Sequence, residues 1–439
     1  MDGDDIPRPA LSPPMKIAVI GAGLSGLAAA WLLGRKHAVT LFERQARPGF
    51  TAAAVAVPGR GAAGNAVRVD VPLRVFYPGY YPTLSRLYQA LGVPSEPVSY
   101  ATSLAGADGR LYFRYRNLRW GDRSVSLLAP QDLLLGATAW RIVGGLLRFH
   151  REAVAALARG ELAGLGIGDH VAARGYSKDF VDGLLLPAIS TVCTCTLAQA
   201  RGFPAEVIVD YLARGVSRQS VHRALHGADD VQRRLLAGIA DLRCNAALTR
   251  IVRVPDGGVQ LLMADGRSEH FDRVVLATQA NQARQLLADA SEDEASVLDA
   301  FHYTPVRVIT HGDAALMPAR RRDWSPVNLC SVPASDGPEA TIWVNAVQPV
   351  LQGAPDVFQT VNPLREPRAD KVLGQAQFER PVVDARSQQA LAQLQGLHAE
   401  AGRRVWFCGA YAQAGIPLLE SAVRSAHEVA ARLGAALAD

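Results

Sequence analysis

The chain has 439 residues, 49% hydrophobic and 20% charged, which is too long for one hydrophobic core and too apolar for a disordered protein. Its net charge of +5 is small against 46 basic and 41 acidic residues, and no basic run interleaves with aromatics, so no nucleic-acid partner is expected. No apolar run reaches bilayer length, and five scattered cysteines (Cys193, Cys195, Cys244, Cys330, Cys408) fit a reducing compartment, so the expected location is cytoplasmic.

Met1 to Pro14 carries Asp2, Asp4, Asp5 and several prolines, without the basic start and apolar middle of a secretory signal; it reads as a disordered lead-in. Order is expected from Met15. Lys16 to Ile20 is β-branched, a glycine turn follows, Leu24 to Leu33 has helical spacing, and His37 to Glu43 is a second apolar run. That succession is a βαβ unit with parallel strands and a right-handed crossover. Tyr80 to Leu91 predicts a helix that starts near Pro82 and stops at Gly92. Ala137 to Arg159 predicts a long helix with Trp140, Val143, Leu146, Leu147 and Val154 on one side. Such a face suits a membrane surface or a core, and a core or the wall of a substrate tunnel is the expectation.

From Cys244 the pattern becomes a meander. Ala247 to Val254, Gly258 to Met263 and Phe271 to Ala277 are strand-like, joined at Pro255-Asp256-Gly257 and Asp265-Gly266. A helix is expected from Asn281, then a mixed stretch, roughly 306–380, with a strand at Thr341 to Val347. Val405 to Cys408 is a final buried strand closed by Gly409, and Leu418 to Leu433 is the closing helix.

Gly21-Ala22-Gly23-Leu24-Ser25-Gly26 is a G-x-G-x-x-G sequence placed after a strand and opening a helix. Gly21 permits the turn, Gly23 lets a pyrophosphate approach the backbone, and Gly26 lets the helix pack against the strand. The helix start offers unpaired N–H groups to the phosphates. Glu43, ending the second strand about 20 residues on, can accept hydrogen bonds from an adenosine ribose. Gly59-Arg60-Gly61-Ala62-Ala63-Gly64 fits the same pattern, but Pro58 precedes it and strand-like Val67 to Val71 follows, so it is expected to be a loop. FAD is favoured over NAD because the unit is N-terminal, the last segment reads as the far end of the same domain, and no second fingerprint has the right context.

Other constellations are weaker. Cys193-Thr194-Cys195 could bind a soft metal, yet no partner ligands adjoin it and packing is expected. His222 and His226, spaced i, i+4, lack a third ligand and read as surface histidines. His311 and Asp313 share a face of a strand and could be an acid with its orienter or a structural pair. Phe76, Tyr77, Tyr80 and Tyr81 form either a pocket lining or a packing cluster. No metal site is expected.

The N-terminal unit, the Val274-Val275-Leu276-Ala277-Thr278 end of the meander and Trp406-Phe407-Cys408-Gly409 resemble the flavin amine oxidase and phytoene-desaturase-like superfamily. The chain is most similar there to predicted FAD-binding oxidoreductases found beside cyclopropane fatty acyl synthases. The likeness runs from Met15 to the end through Tyr81-Pro82 with Leu84, Leu185-Leu186-Pro187, Phe203-Pro204-Ala205, His311 with Asp313, Leu316-Met317-Pro318, and Trp343-Val344-Asn345 with Gln348. It implies an α/β fold: a Rossmann-type FAD-binding domain of the glutathione-reductase-2 kind from segments 15–75, 235–300 and 401–439, with an α+β substrate domain, 76–234 and 301–400, inserted.

For the cofactor, the resemblance implies Gly21, Ala22, Gly23, Leu24, Ser25 and Gly26 at the pyrophosphate and Glu43, Arg44 and Gln45 at the ribose. Leu242 is implied at the adenine, Leu73, Arg74, Ala277 and Thr278 beside the cofactor, and Gly409, Pro417, Leu418 and Leu419 near the ribityl chain and ring. Phe76, Tyr77, His311, Trp343 and Asn345 are the implied substrate pocket. This sequence departs from the pattern at Phe50, Pro72 and Ala410, and Gly415-Ile416-Pro417-Leu418-Leu419-Glu420 replaces a polar Gly-Phe-His-Glu-Asp-Gly run near the flavin.

The expected activity is FAD-dependent redox chemistry on a hydrophobic unsaturated small molecule, with NADPH as a candidate hydride source and no catalytic residue assigned. Redox cyclisation of a polyene macrolactam of the polycyclic tetramate type comes first among the specific reactions. An unsaturated or branched fatty acyl dehydrogenase or isomerase, an amine oxidase and a non-catalytic flavin-fold scaffold are the alternatives.

Overall fold

A computed structural model describes residues 13–59, 66–120, 123–127, 136–216, 220–332, 335 and 337–437. Most of the expected lead-in, and residues 60–64 of the second glycine match, lie outside the described residues.

Its nucleus is a five-stranded parallel sheet in the order Asp241–Arg243, Ala38–Phe42, Lys16–Ile20, Arg273–Leu276, Val405–Phe407. Three separated stretches of chain therefore meet in one sheet. Both faces are covered, which is why its strands read as continuous apolar runs rather than alternating ones. Ile17, Val19 and Val275 pack on the side of the helices Leu24–Leu33 and Leu419–Arg432, which also pack on each other. Ala18, Val274 and Phe407 pack on the other side, against the antiparallel meander Leu248–Arg253, Val259–Met263, Ser268–Phe271 and the helices Ala280–Leu286, Glu292–Asp299 and Ala385–Ala399.

A second, eight-stranded sheet runs Val372–Pro381, Tyr303–His311, Phe358–Val361, Pro338–Trp343, Val327–Ser331, Thr102–Ala105, Leu111–Trp120, Arg123–Leu127. It is antiparallel except where Val327–Ser331 runs parallel to Thr102–Ala105. The helices between 137 and 216 pack beside it, and Tyr112 ties the two by donating to the Gly183 carbonyl at 2.9 Å. The molecule is thus a mixed α/β protein with a Rossmann-like nucleus and an α+β partner layer.

Several expected elements shift. The run Phe271 to Ala277 divides at Asp272, whose carboxylate accepts the Lys16 amide at 2.6 Å and whose own N–H donates to the Lys16 carbonyl at 2.8 Å. Ser268–Phe271 stays in the meander while Arg273–Leu276 enters the parallel sheet. Thr341 to Val347 is a strand only to Trp343, after which Val344–Val347 is a helical turn. His222 lies on the strand Val221–Ala224, where its backbone exchanges hydrogen bonds with Phe76, so it does not face His226 across a helical turn.

The helix Ala137–Ala158 forms as expected, but with a different face inward. Ala139, Ile142, Phe149, Ala153 and Ala156 are buried, whereas Trp140 and Leu147 are 56% and 67% exposed. Gly145 sets that rotation: a Cβ there would stand 2.5 Å from the Phe180 side chain, so only glycine lets the helix come so near.

Candidate active site

The first turn of the Rossmann unit opens one side of a cleft of about 830 Å³, within the usual range of ligand pockets. Gly21 has φ +101, and a Cβ on Gly26 would lie 1.8 Å from the Gly21 carbonyl oxygen. The turn and the helix behind it are thus packed backbone on backbone. At Gly23 a Cβ would have nothing within 4 Å, so this residue borders open space. Gly23 is also the N-cap of the helix Leu24–Leu33, and with no side chain there the first-turn N–H groups face the cleft uncompeted for.

Glu43 stands opposite. Its carboxylate accepts the Ala22 and Gln45 amides, each at 2.9 Å, and so is held rigidly in the cleft wall. A glycine cradle open to solvent, an uncapped helix start and a fixed carboxylate at the next strand end are the donor and acceptor set that a dinucleotide needs: N–H groups for two phosphates, an acceptor for ribose hydroxyls. The residues fit FAD.

Gly21, Ala22, Gly23, Ser25, Glu43, Arg44, Gln45, Ala277, Thr278, Gly409 and Pro417 all line this cleft. Leu24 and Gly26 sit behind it in the first helical turn. Leu242 is half-buried against the core, and the wall near Glu43 is formed instead by Ala246, Ala247, Leu248 and Thr249. The chain leaves the sheet at Arg243 and passes back over the cleft, which moves the lining a few residues on.

Leu73 packs on the core. Arg74 lies over the Phe50 ring at 4.2 Å and donates to the Phe50 carbonyl at 2.8 Å, with Asp70 as its countercharge. Neither lines the cleft. Leu418 and Leu419 also turn into the core; of that run only Pro417 reaches the cleft. Apolar side chains at the start of a closing helix are drawn to the core beneath it.

A second cavity, of about 100 Å³, lies in the partner layer. Tyr77, Tyr100, Tyr115 and Tyr211 supply its aromatic wall, and Leu184, Leu185, Ile189 and Ile416 its aliphatic one. Burial pushes all four phenols above their usual pKa, so they stay neutral. Among the described residues no Asp, Glu, Lys or Arg lines it. Ile416 and Pro417 are consecutive and line the cavity and the cleft respectively, which makes the two spaces neighbours.

Of the expected pocket residues only Tyr77 lies on this cavity. Phe76 is buried edge-on against Tyr88 and Tyr81. His311 is buried, with its Nε2 2.8 Å from Thr360 Oγ1 and its Nδ1 accepting the Asp313 amide at 3.1 Å; burial lowers its pKa to about 4. The Asp313 carboxylate does not reach the ring and instead accepts the Ala315 and Arg368 amides, so the two are not an acid and its orienter. Trp343 donates to Asp356 at 3.0 Å, and Asn345 clamps the Leu351, Pro355 and Val357 backbone. These polar groups satisfy buried backbone and neighbouring side chains rather than a ligand.

Tyr100, Tyr115, Tyr211 and Arg380 were not singled out by the sequence. They lie far apart in the chain, and only the folded layer brings them together. Among the described residues no cluster of His, Cys, Asp and Glu is placed to hold a metal, and no helix is long and apolar enough to cross a membrane.

Residues 19–91 match the family model described as an NAD(P)-binding Rossmann-like domain. No curated protein matches the chain by sequence. Among solved structures the chain is similar to a CLA-producing fatty acid isomerase from P. acnes, with a TM-score of 0.65 at 16% identity over 95% of this chain and 98% of that one. It is similar also to cyclohexylamine oxidase from Brevibacterium oxydans, with a TM-score of 0.65 at 15% identity over 96% and 100%. A putrescine oxidase bound to putrescine gives 0.58 at 14% over 96% and 99%. The fold of nearly the whole chain, and not just of its nucleotide-binding turn, is therefore shared with these proteins.

Proposed function

We propose that this chain is an FAD-dependent oxidoreductase acting on a hydrophobic unsaturated substrate. The observation that carries the reading is the juxtaposition of a dinucleotide-shaped glycine cleft with a neutral cavity walled by tyrosines and aliphatic side chains. Gly23 and the following helix start would meet the pyrophosphate, and Glu43 the adenosine ribose. FAD bound there would supply hydride transfer. The protein's own share is to hold the apolar substrate against the cofactor, to exclude water with Tyr77, Leu185 and Ile416, and to keep ionised groups out of the cavity.

Redox cyclisation of a polyene macrolactam of the polycyclic tetramate type is the specific reaction we favour, with NADPH as hydride source where the reaction is reductive. A fatty acyl dehydrogenase or isomerase is the second reading, favoured by the likeness to a fatty acid isomerase. An amine oxidase suits the site less, since among the described residues no carboxylate lines the cavity to meet an ammonium. Purified protein should be yellow and release FAD on denaturation, and its flavin spectrum should change on addition of a polyene macrolactam. A colourless protein that takes up no FAD would refute the reading.

A further inference from the structure

Arg380 lies at the end of the strand Val372–Pro381, paired across the ladder with Thr304, and its side chain lines the glycine cleft. It also lines a small pocket with Cys193, Cys195 and Phe203, and Cys193 in turn lines the tyrosine cavity. Arg380 thus borders both the cleft and a small pocket that shares Cys193 with the cavity.

Desolvation holds its guanidinium below the usual arginine pKa, and the groups that act on it are Cys193, Tyr81 and Cys195. Among the described residues its side chain has neither an ion pair nor a hydrogen bond. The neighbouring cation, Arg74, by contrast donates to the Phe50 carbonyl and has the charge of Asp70 nearby. Half-buried at the wall of the cleft and unpartnered among the described residues, this guanidinium offers a planar fork suited to an oxyanion. The phosphates of a dinucleotide have their own donors at Gly23 and the helix start, which leaves Arg380 for something else.

We propose that Arg380 anchors an oxyanion on the substrate, a carboxylate or the acidic enol of an acyl tetramic acid, while the substrate's apolar chain enters the tyrosine cavity. The substrate is then an anionic amphiphile. This rests on reading cleft and cavity as one site.

The test is calorimetric titration of the protein as purified with decanoate, decanoyl tetramic acid and decanol, repeated for Arg380→Leu and Arg380→Lys. One of the acids should bind at least about tenfold more tightly than the alcohol, and the acid with the larger margin identifies the head group. Arg380→Leu should lose that margin while keeping its flavin and its affinity for decanol; Arg380→Lys, which keeps the charge but not the fork, should retain part of it.

Equal binding of acids and alcohol by the parent would overturn the proposal, as would a margin that survives in Arg380→Leu. Loss of flavin from Arg380→Leu with an unchanged margin would assign the residue to the cofactor instead. Heats of binding need no flavin, so a colourless protein that still shows the margin would defeat the redox reading and leave the role of Arg380 standing.

Discussion

The Glu43 carboxylate accepts the Ala22 amide at 2.9 Å, so the end of the second strand braces the turn that follows the first. Its other oxygen accepts the Gln45 amide, also at 2.9 Å. Glu43→Gln retains one acceptor and introduces an N–H pair that faces donors. It should weaken FAD retention by about tenfold or more, corresponding to one or two charge-assisted hydrogen bonds. Flavin fluorescence released after dialysis measures this; unchanged retention would mean that the carboxylate does not serve the cofactor.

Two glycines of the turn separate folding from binding. Gly26→Ala places a methyl 1.8 Å from the Gly21 carbonyl oxygen, a clash between backbone and side chain that only displacement of the helix relieves. It should lower stability by about 3 kcal/mol or more, or prevent folding. Gly23→Ala meets nothing within 4 Å and has an ordinary extended backbone, so the apoprotein should melt near the parent temperature. Its methyl would nevertheless stand where phosphate approaches, and bound FAD should fall. Parent-like FAD content in Gly23→Ala would argue against this turn as the phosphate site.

Glu420 joins distant parts of the chain. Its two oxygens accept the Thr83 and Leu84 amides at 3.1 and 2.9 Å, capping the helix Pro82–Ala90 from the helix Leu419–Arg432. Tyr81, the N-cap, supplies no side-chain acceptor of its own. Glu420→Ala leaves two buried N–H groups unsatisfied and should cost about 2–4 kcal/mol by urea unfolding. A loss below about 0.5 kcal/mol would mean that water replaces the cap.

What the sequence made legible was local. The turn at Gly21 to Gly26 could be read because a strand and a helix flank it within a few residues, and the second glycine match lacked that context. The helix Ala137–Ala158 was equally plain, but not its rotation, because the Phe180 ring that seats against Gly145 lies 35 residues on. His311, Trp343 and Asn345 looked functional as polar residues in apolar surroundings; their hydrogen bonds to Thr360, Asp356 and local backbone show that such residues also arise from satisfying an interior. Arg380 carried no signal at all, since what distinguishes it is the lack of a partner among the described residues, which only three dimensions reveal.

Two buried histidines make stability depend on pH. Burial, reinforced by Arg403 and Arg432, lowers the His398 pKa to about 3, and its Nε2 accepts the Phe407 amide at 3.2 Å. His311 is lowered to about 4, chiefly by burial. Both folded values lie below the unfolded value of about 6.5. The unfolded chain therefore takes up protons first as pH falls, and stability is lost from about pH 6.5 downward, by up to about 1.4 kcal/mol per pH unit for each histidine. His398→Gln, which keeps an acceptor for Phe407, should remove about one proton from that slope. Urea midpoints measured across this range would show it, and an unchanged slope would mean that His398 titrates alike in both states.

The tyrosine cavity offers a test in which substrate binding and stability are read separately. Ala188 lines it from the helix Leu186–Cys193, half-buried, with free space of about 100 Å³ before it. Ala188→Leu would place an aliphatic side chain in that space. Filling a cavity recovers roughly 24 cal/mol per Å³, so the variant should be unchanged or more stable by up to about 2 kcal/mol. Over-packing would instead destabilise it by about 1–3 kcal/mol, and thermal unfolding distinguishes the two. FAD should remain bound, because Ala188 does not line the glycine cleft. An apolar substrate chain would lose its place, and binding of decanol should fall by about tenfold or more, in keeping with the roughly 25 cal/mol per Å² that apolar burial contributes. A stable, yellow Ala188→Leu protein that binds decanol as tightly as the parent would show that the chain lies elsewhere, and the case for a hydrophobic substrate in this cavity would fail.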